Sequence, residues 1–137
     1  MKILVIDDNM ADRELIITHI KKSKKRENII TEESNCLKDA IRKIKANNYD
    51  VIILDLVLPE SDGIDTVKTV LSNIKEAGKE IPVIVLTGIE DYKVGREAWS
   101  LGVKDYLIKD ETQTKDLARA LKFVTRNISG NQKSILV

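Results

Sequence analysis

The chain has 137 residues, 42% of them apolar and 33% charged, which fits one domain with a real core and a well-solvated surface. A net charge of +1 gives no electrostatic case for nucleic acid or an anionic membrane, and a single cysteine, Cys36, excludes an internal disulfide framework. No apolar stretch is long enough to span a bilayer and the N-terminus lacks a signal-peptide pattern, so a soluble cytoplasmic protein is expected.

The first apolar run, at 3–6 in "KILVIDDN", reads as a strand buried on both faces, and it ends at two adjacent carboxylates, Asp7 and Asp8. Like charges side by side repel, so the pair needs a reason. A helix starting near Met10 follows, with Leu15, Ile16 and Ile20 on one face. His19 is expected on the helix surface, and the basic run at 21–26 as a solvated helix end. A more polar run at 28–32 is expected to be an edge strand. Leu37, Ala40, Ile41 and Ile44 mark a second helix. "VIILD" gives a third strand at 51–54, ending at Asp55, and Gly63 in "SDG" suits a turn with φ > 0.

Val67, Val70, Leu71 and Ile74 repeat the helical spacing. "VIVLT" gives a fourth strand at 83–86, ending at Thr87. Val94, Ala98 and Leu101 mark a shorter helix, in or beside which Trp99 is expected to pack. A fifth strand at 106–108 ends at Lys109, and Leu117, Leu121 and Val124 mark the last helix. Strand and helix thus alternate five times, which argues an α/β fold with a parallel sheet covered by helices on both faces. One domain is expected over 2–127, with 128–137 a short tail.

In an open parallel sheet, ligands bind beyond the carboxyl ends of the strands. Asp7, Asp8, Asp55, Thr87 and Lys109 all fall there. Taken alone, Asp7 and Asp8 also suit the N-cap of the helix that follows. Three clustered carboxylates call for a cation, and oxygen ligands suit Mg²⁺ or Ca²⁺ rather than zinc. A hydroxyl and an ammonium beside them are the groups that hold a phosphoryl oxygen. No Gly-rich phosphate cradle is present, so the phosphoryl acceptor is expected to be a side chain, and a carboxylate serves.

Asp7-Asp8, Asp55, Pro59, Gly63, Thr87, Tyr106 and Lys109, in that order over about residues 2–127, resemble the receiver domain of bacterial two-component response regulators. The resemblance implies a doubly wound, flavodoxin-like sheet of strand order 2-1-3-4-5 with five helices. It implies that Asp55 accepts a phosphoryl group from a sensor histidine kinase or a histidine phosphotransfer protein. It implies Mg²⁺, with Mn²⁺ as substitute, held by Asp8, Asp55 and the backbone carbonyl of Val57, and by Asp7 through water. Lys109 would pair with Asp55 and then with the phosphoryl oxygen, and Thr87 would swing to that oxygen. Tyr106 would change rotamer with Thr87; a fixed core ring is the alternative. Such a domain is a phosphoacceptor switch toward a downstream protein target. It is not an enzyme acting on external substrates: it catalyses its own phosphotransfer and slow self-dephosphorylation.

Three positions depart from the pattern. The family usually has proline after the fifth-strand lysine, and here it is Asp110. A cis peptide costs roughly 2.5–4 kcal/mol before a residue other than proline, against about 0.5–1 before proline. A trans Lys109–Asp110 bond is therefore expected, with a rearranged loop at 110–114. Asp110 and Glu111 are then expected near the pocket mouth or as a cap for the last helix. Val57 and Ile89 are apolar where many members carry polar groups, whereas Gly88 fits the family. Two other classes fit less well. A phosphatase of the haloacid dehalogenase type needs a second Asp where Asn9 stands, and an FMN binder needs a phosphate loop where this chain is acidic.

Overall fold

The structure, a computed structural model, describes residues 1–23 and 28–136, with side chains through 125. In chain order the elements are β1 (Lys2–Ile6), α1 (Met10–Ser23), β2 (Ile30–Ser34), α2 (Leu37–Ala46), β3 (Val51–Leu54), α3 (Ile64–Glu76), β4 (Val83–Thr87), α4 (Tyr92–Leu101), β5 (Asp105–Ile108) and α5 (Thr114–Leu136). The five strands form one sheet in the order β2-β1-β3-β4-β5, with every pairing parallel. This is the doubly wound, flavodoxin-like order.

The alternation of side chains along a strand divides the core in two. Leu4, Ile6, Ile52, Leu54, Val83 and Val85 point to one face, where α2, α3 and α4 supply Ala40, Ile44, Val67, Val70 and Ala98. Ile3, Val5, Val51, Ile53, Ile84 and Leu86 point to the other, where α1 and α5 supply Ile16, Ile20, Leu117, Leu121 and Val124. Helices therefore cross from one face to the other between β1 and β3, which is the switch point where such sheets bind ligands.

The edge strand β2 begins and ends two residues later than the run at 28–32 suggests. Its register runs from Lys2↔Ile30 to Ile6↔Ser34. A polar edge strand has little periodicity to mark its ends: Ile30 is exposed and Ser34 is its buried residue. Part of the basic run at 21–26, and the side chains of 126–137 in and around the expected tail, lie outside the described residues.

Helix ends are closed by specific groups. Asn9 Oδ1 accepts from the backbone N–H of Asp12 (2.9 Å), so Asn9 rather than Asp7 or Asp8 caps α1. The Glu60 carboxylate accepts from the N–H of Leu37 at the start of α2. Lys79 Nζ closes the other end of α2, donating to the carbonyls of Ile44 (2.7 Å) and Asn47 (2.7 Å). Asp91 Oδ1 caps α4 through the N–H of Lys93 (2.8 Å). Trp99 of α4 is about half exposed rather than packed, because Gly95 and Ala98 are the residues that α4 turns inward.

No peptide bond among the described residues is cis, so Lys109–Asp110 is trans. The chain there makes a single 3₁₀ turn, Lys109–Glu111, before α5. The cap of α5 comes from neither Asp110 nor Glu111: Asp116 reaches back to accept from the N–H of Gln113 (2.8 Å). Asp110 lines a hollow with Asp12, His19, Lys109 and Leu117, beside the carboxylates rather than over them. His19 is half-buried and hydrogen-bonds Thr114 Oγ1 through Nδ1 (2.5 Å), which ties α1 to α5.

Candidate phosphoacceptor site

The polar residues at the strand ends meet because the strands carrying them are neighbours. Beyond the last pairs of the ladder, the N–H of Asp55 donates to Ile6 O (2.9 Å) and that of Asp7 to Ser34 O (3.0 Å). These bonds fix both backbones at the switch point. Asp7 and Asp55 are buried and Asp8 is exposed.

Asp55 is held on both oxygens. Its Oδ1 accepts from Thr87 Oγ1 (2.7 Å) and from the N–H of Val57 (3.2 Å). Its Oδ2 accepts from Lys109 Nζ (2.8 Å). The long lysine stem lets the ammonium span β4 from the end of β5. The same Nζ donates to Asp12 Oδ2 (2.8 Å) and lies 2.7 Å from Asp7 Oδ2. The contact to Asp7 is an ion pair without hydrogen-bond geometry, so Asp7 Oδ2 is buried with no hydrogen-bond donor. Asp7 Oδ1 is satisfied by the N–H of Asn9 (2.9 Å).

Burial pushes the Asp7 carboxyl above its usual range, against the lowering effect of Lys109 and the Asn9 N–H; the charge of Asp55 pushes it further up. Burial also opposes the charge on Lys109, but the carboxylates of Asp12, Asp55 and Asp7 around it outweigh that and hold the ammonium above the usual lysine range. Lysine therefore stays charged among these carboxylates.

One carboxylate oxygen from each of Asp7, Asp8 and Asp55 lies within 4.8 Å of the other two. Acids this close, one of them with a buried oxygen that has only the Lys109 ammonium beside it, fit a divalent cation of the Mg²⁺ type. The donors are all oxygen, with no imidazole or thiolate in the group. Val57 lies in the same loop, about half exposed.

Tyr106 is half-buried against α4, where its ring is 3.7 Å from the place a Cβ on Gly95 would occupy. Its hydroxyl donates to Ile89 O (2.8 Å). Burial, then the charges of Asp91 and Asp55, raise its pKa. Gly63 has φ +62° and turns the chain from the Asp55 loop into α3. The strand ends thus bring Asp7, Asp8, Asp55, Thr87 and Lys109 together, whereas Tyr106 reaches only the Ile89 carbonyl beside them. Sequence reasoning missed Asp12, whose one signal was its place in the turn of helix after Asp8.

The family model for the response regulator receiver domain matches residues 3–122. The transcriptional regulatory protein ResD of Bacillus subtilis is 35% identical over 108 residues, covering 79% of this chain and 41% of ResD. The transcriptional regulatory protein SrrA of Staphylococcus aureus is 30% identical over 128 residues, covering 93% of this chain and 49% of SrrA. The chain thus spans less than half the length of these curated relatives. Among solved structures, a two-component response regulator from Clostridium difficile matches with a TM-score of 0.78 and 25% identity, over 93% of this chain and 98% of that one. The receiver domain of the Francisella response regulator 1452 matches with a TM-score of 0.71 and 28% identity, also over 93% and 98%. A receiver fold, a carboxylate trio at its switch point and a family match over nearly the whole described domain agree: the chain belongs to the response regulator receiver domain family.

Proposed function

We propose that the domain is a Mg²⁺-dependent phosphorylation switch in which Asp55 takes a phosphoryl group from a phosphohistidine on a sensor histidine kinase or a histidine phosphotransfer protein. The observation that carries this reading is the hold on Asp55, with Thr87 on one oxygen and Lys109 on the other, beside two further carboxylates. An Asp55 carboxylate oxygen attacks phosphorus. The phosphorus–nitrogen bond breaks, and its electron pair stays on the departing imidazole. Asp8, Asp55 and the Val57 carbonyl would hold the metal, with Asp7 acting through water. A bound Mg²⁺ supplies charge neutralisation for the carboxylates and the phosphoryl oxygens.

The new group brings about −1.5 to −2 charge and three acceptor oxygens to a place where Thr87 and Lys109 already donate. Both donors turn to it, and Tyr106 follows Thr87. The domain works in the cytoplasm, turns over no external substrate and loses its phosphoryl group slowly by its own hydrolysis. Its output passes to a protein that docks on α4, β5 and α5, the face bearing Lys93, Arg96, Lys104, Asp105 and Arg119, where Tyr92, Trp99 and Phe123 are exposed. Among the described residues no helix is long and apolar enough to cross a membrane. Phosphotransfer from a panel of radiolabelled kinases tests the reading: label should pass to the parent within minutes and not to Asp55→Asn. Equal transfer to both would overturn it.

A further inference from the structure

Lys109 has one carboxylate more than the switch reading uses. An ammonium has three N–H groups, and three carboxylate oxygens stand at 2.7–2.8 Å from Nζ: Asp7, Asp12 and Asp55. We propose that Asp12 is a positioning residue that competes with the phosphoryl group for Lys109, so that it sets how readily the pocket accepts phosphate. This rests on the reading of Asp55 as acceptor.

The three partners differ in what they lose when the ammonium turns away. Asp7 is fully buried, and its Oδ2 has no hydrogen-bond donor, so it would be left as an uncompensated buried charge. Asp55 is the residue on which the phosphoryl group arrives. The Asp12 side chain is 41% exposed, on the first turn of α1. A hollow of about 120 Å³ opens beside it, polar at Lys109 and Asp110 and apolar at Leu15, Leu86 and Leu117. Because the carboxylate is open to solvent, water replaces the ammonium at Asp12 at little cost. Asp12 is therefore the partner that lets go, and its charge is the part of the Lys109 environment that pulls away from Asp55.

Asp12 does not itself build the pocket backbone. Its N–H is bonded to Asn9 Oδ1 whatever side chain it carries, so Asp12→Asn keeps the cap of α1. The isosteric change keeps the shape of the side chain and removes one anion from Lys109, together with the one acid in the first turn of α1.

The test follows the rate of phosphorylation by acetyl phosphate at fixed Mg²⁺, with the added mass located in every variant. Asp12→Asn should accept phosphate roughly two- to fivefold faster than the parent, the range expected for a half-exposed ion pair. Asp12→Glu should return toward the parent rate. In a Lys109→Met background the effect of Asp12→Asn should vanish, since the two residues act as a pair. The ¹⁵Nζ NMR signal of Lys109 in metal-free protein should move in Asp12→Asn. Equal rates in parent and Asp12→Asn, or the same acceleration without Lys109, would overturn the role of Asp12 while Asp55 still carries label. Absence of label on Asp55 in the parent would overturn the acceptor reading and this proposal with it.

Discussion

The Tyr106 hydroxyl donates a 2.8 Å hydrogen bond to the carbonyl oxygen of Ile89, which joins β5 to the loop after Thr87. The N–H of Ile89 in turn approaches Thr87 Oγ1 at 3.4 Å, and Thr87 bonds Asp55. Asp55 and the α4–β5 surface are thus connected through a chain of Thr87, Ile89 and Tyr106. Trp99 lines the same surface depression as Tyr106. Tyr106→Phe should cost about 0.5–1.5 kcal/mol of stability, the typical net value of one hydrogen bond. It should also shrink the change in Trp99 fluorescence on adding beryllofluoride, a phosphoryl mimic. An unchanged Trp99 response in Tyr106→Phe would mean that the hydroxyl bond to Ile89 takes no part in the switch.

Hydrolysis of an acyl phosphate needs a water aligned behind phosphorus. The Val57 and Ile89 side chains offer no hydrogen bond to such a water. The double variant Val57→Asn, Ile89→Glu should therefore lose its phosphoryl group several-fold faster than the parent. Decay of purified phosphoprotein, followed by mass spectrometry, measures this. A parent lifetime equal to the variant's would contradict it.

Asp39 lies at the start of α2, bonded to Ser34 Oγ (2.7 Å), Arg42 (2.6 Å) and Lys43 (3.0 Å). The Ser34 hydroxyl first, then Arg42, hold its carboxyl down at about 2, against a small opposing effect of burial. A pKa lower in the folded than in the unfolded chain adds stability above the unfolded value of 3.8 and loses it as pH falls toward 2. Asp39→Asn should cost about 1 kcal/mol at neutral pH, with the difference closing in that acid window. Urea unfolding across pH checks it; a difference independent of pH would show that the loss is one of packing.

Burial of Asp7 without a hydrogen-bond donor on Oδ2 makes its charge a cost in the metal-free fold. Asp7→Asn should therefore raise the Tm in the presence of EDTA. A cation held by the folded carboxylates stabilises them by linkage, so added Mg²⁺ should raise the Tm of the parent and leave the variant unmoved. A variant less stable than the parent in EDTA would show that the pairing with Lys109 outweighs the burial of the charge.

The residues at the strand ends were legible because a run buried on both faces has no structural use for a terminal carboxylate. Asp7 and Asp55 stand out against "ILVI" and "VIIL" for that reason. The bounds of β2 were not legible, since its register is fixed by pairing with β1 and by contacts such as Tyr49 to Glu32 rather than by its own pattern. Asp12 was hidden because an acid in a first helical turn is ordinarily explained by the helix dipole. Its partner is 97 residues away, and only the fold brings the two together. The cap of α5 went to Asp116 rather than Asp110 or Glu111 because the 3₁₀ turn ends before the helix begins.

Phosphorylation at Asp55 underlies every part of the proposed switch. The most direct measurement is intact-protein and peptide mass spectrometry after incubation with acetyl phosphate, with and without Mg²⁺. The parent should gain the mass of one phosphoryl group, dependent on Mg²⁺ and located on Asp55, and Asp55→Ala should gain none. Equal labelling of Asp55→Ala and the parent would contradict it.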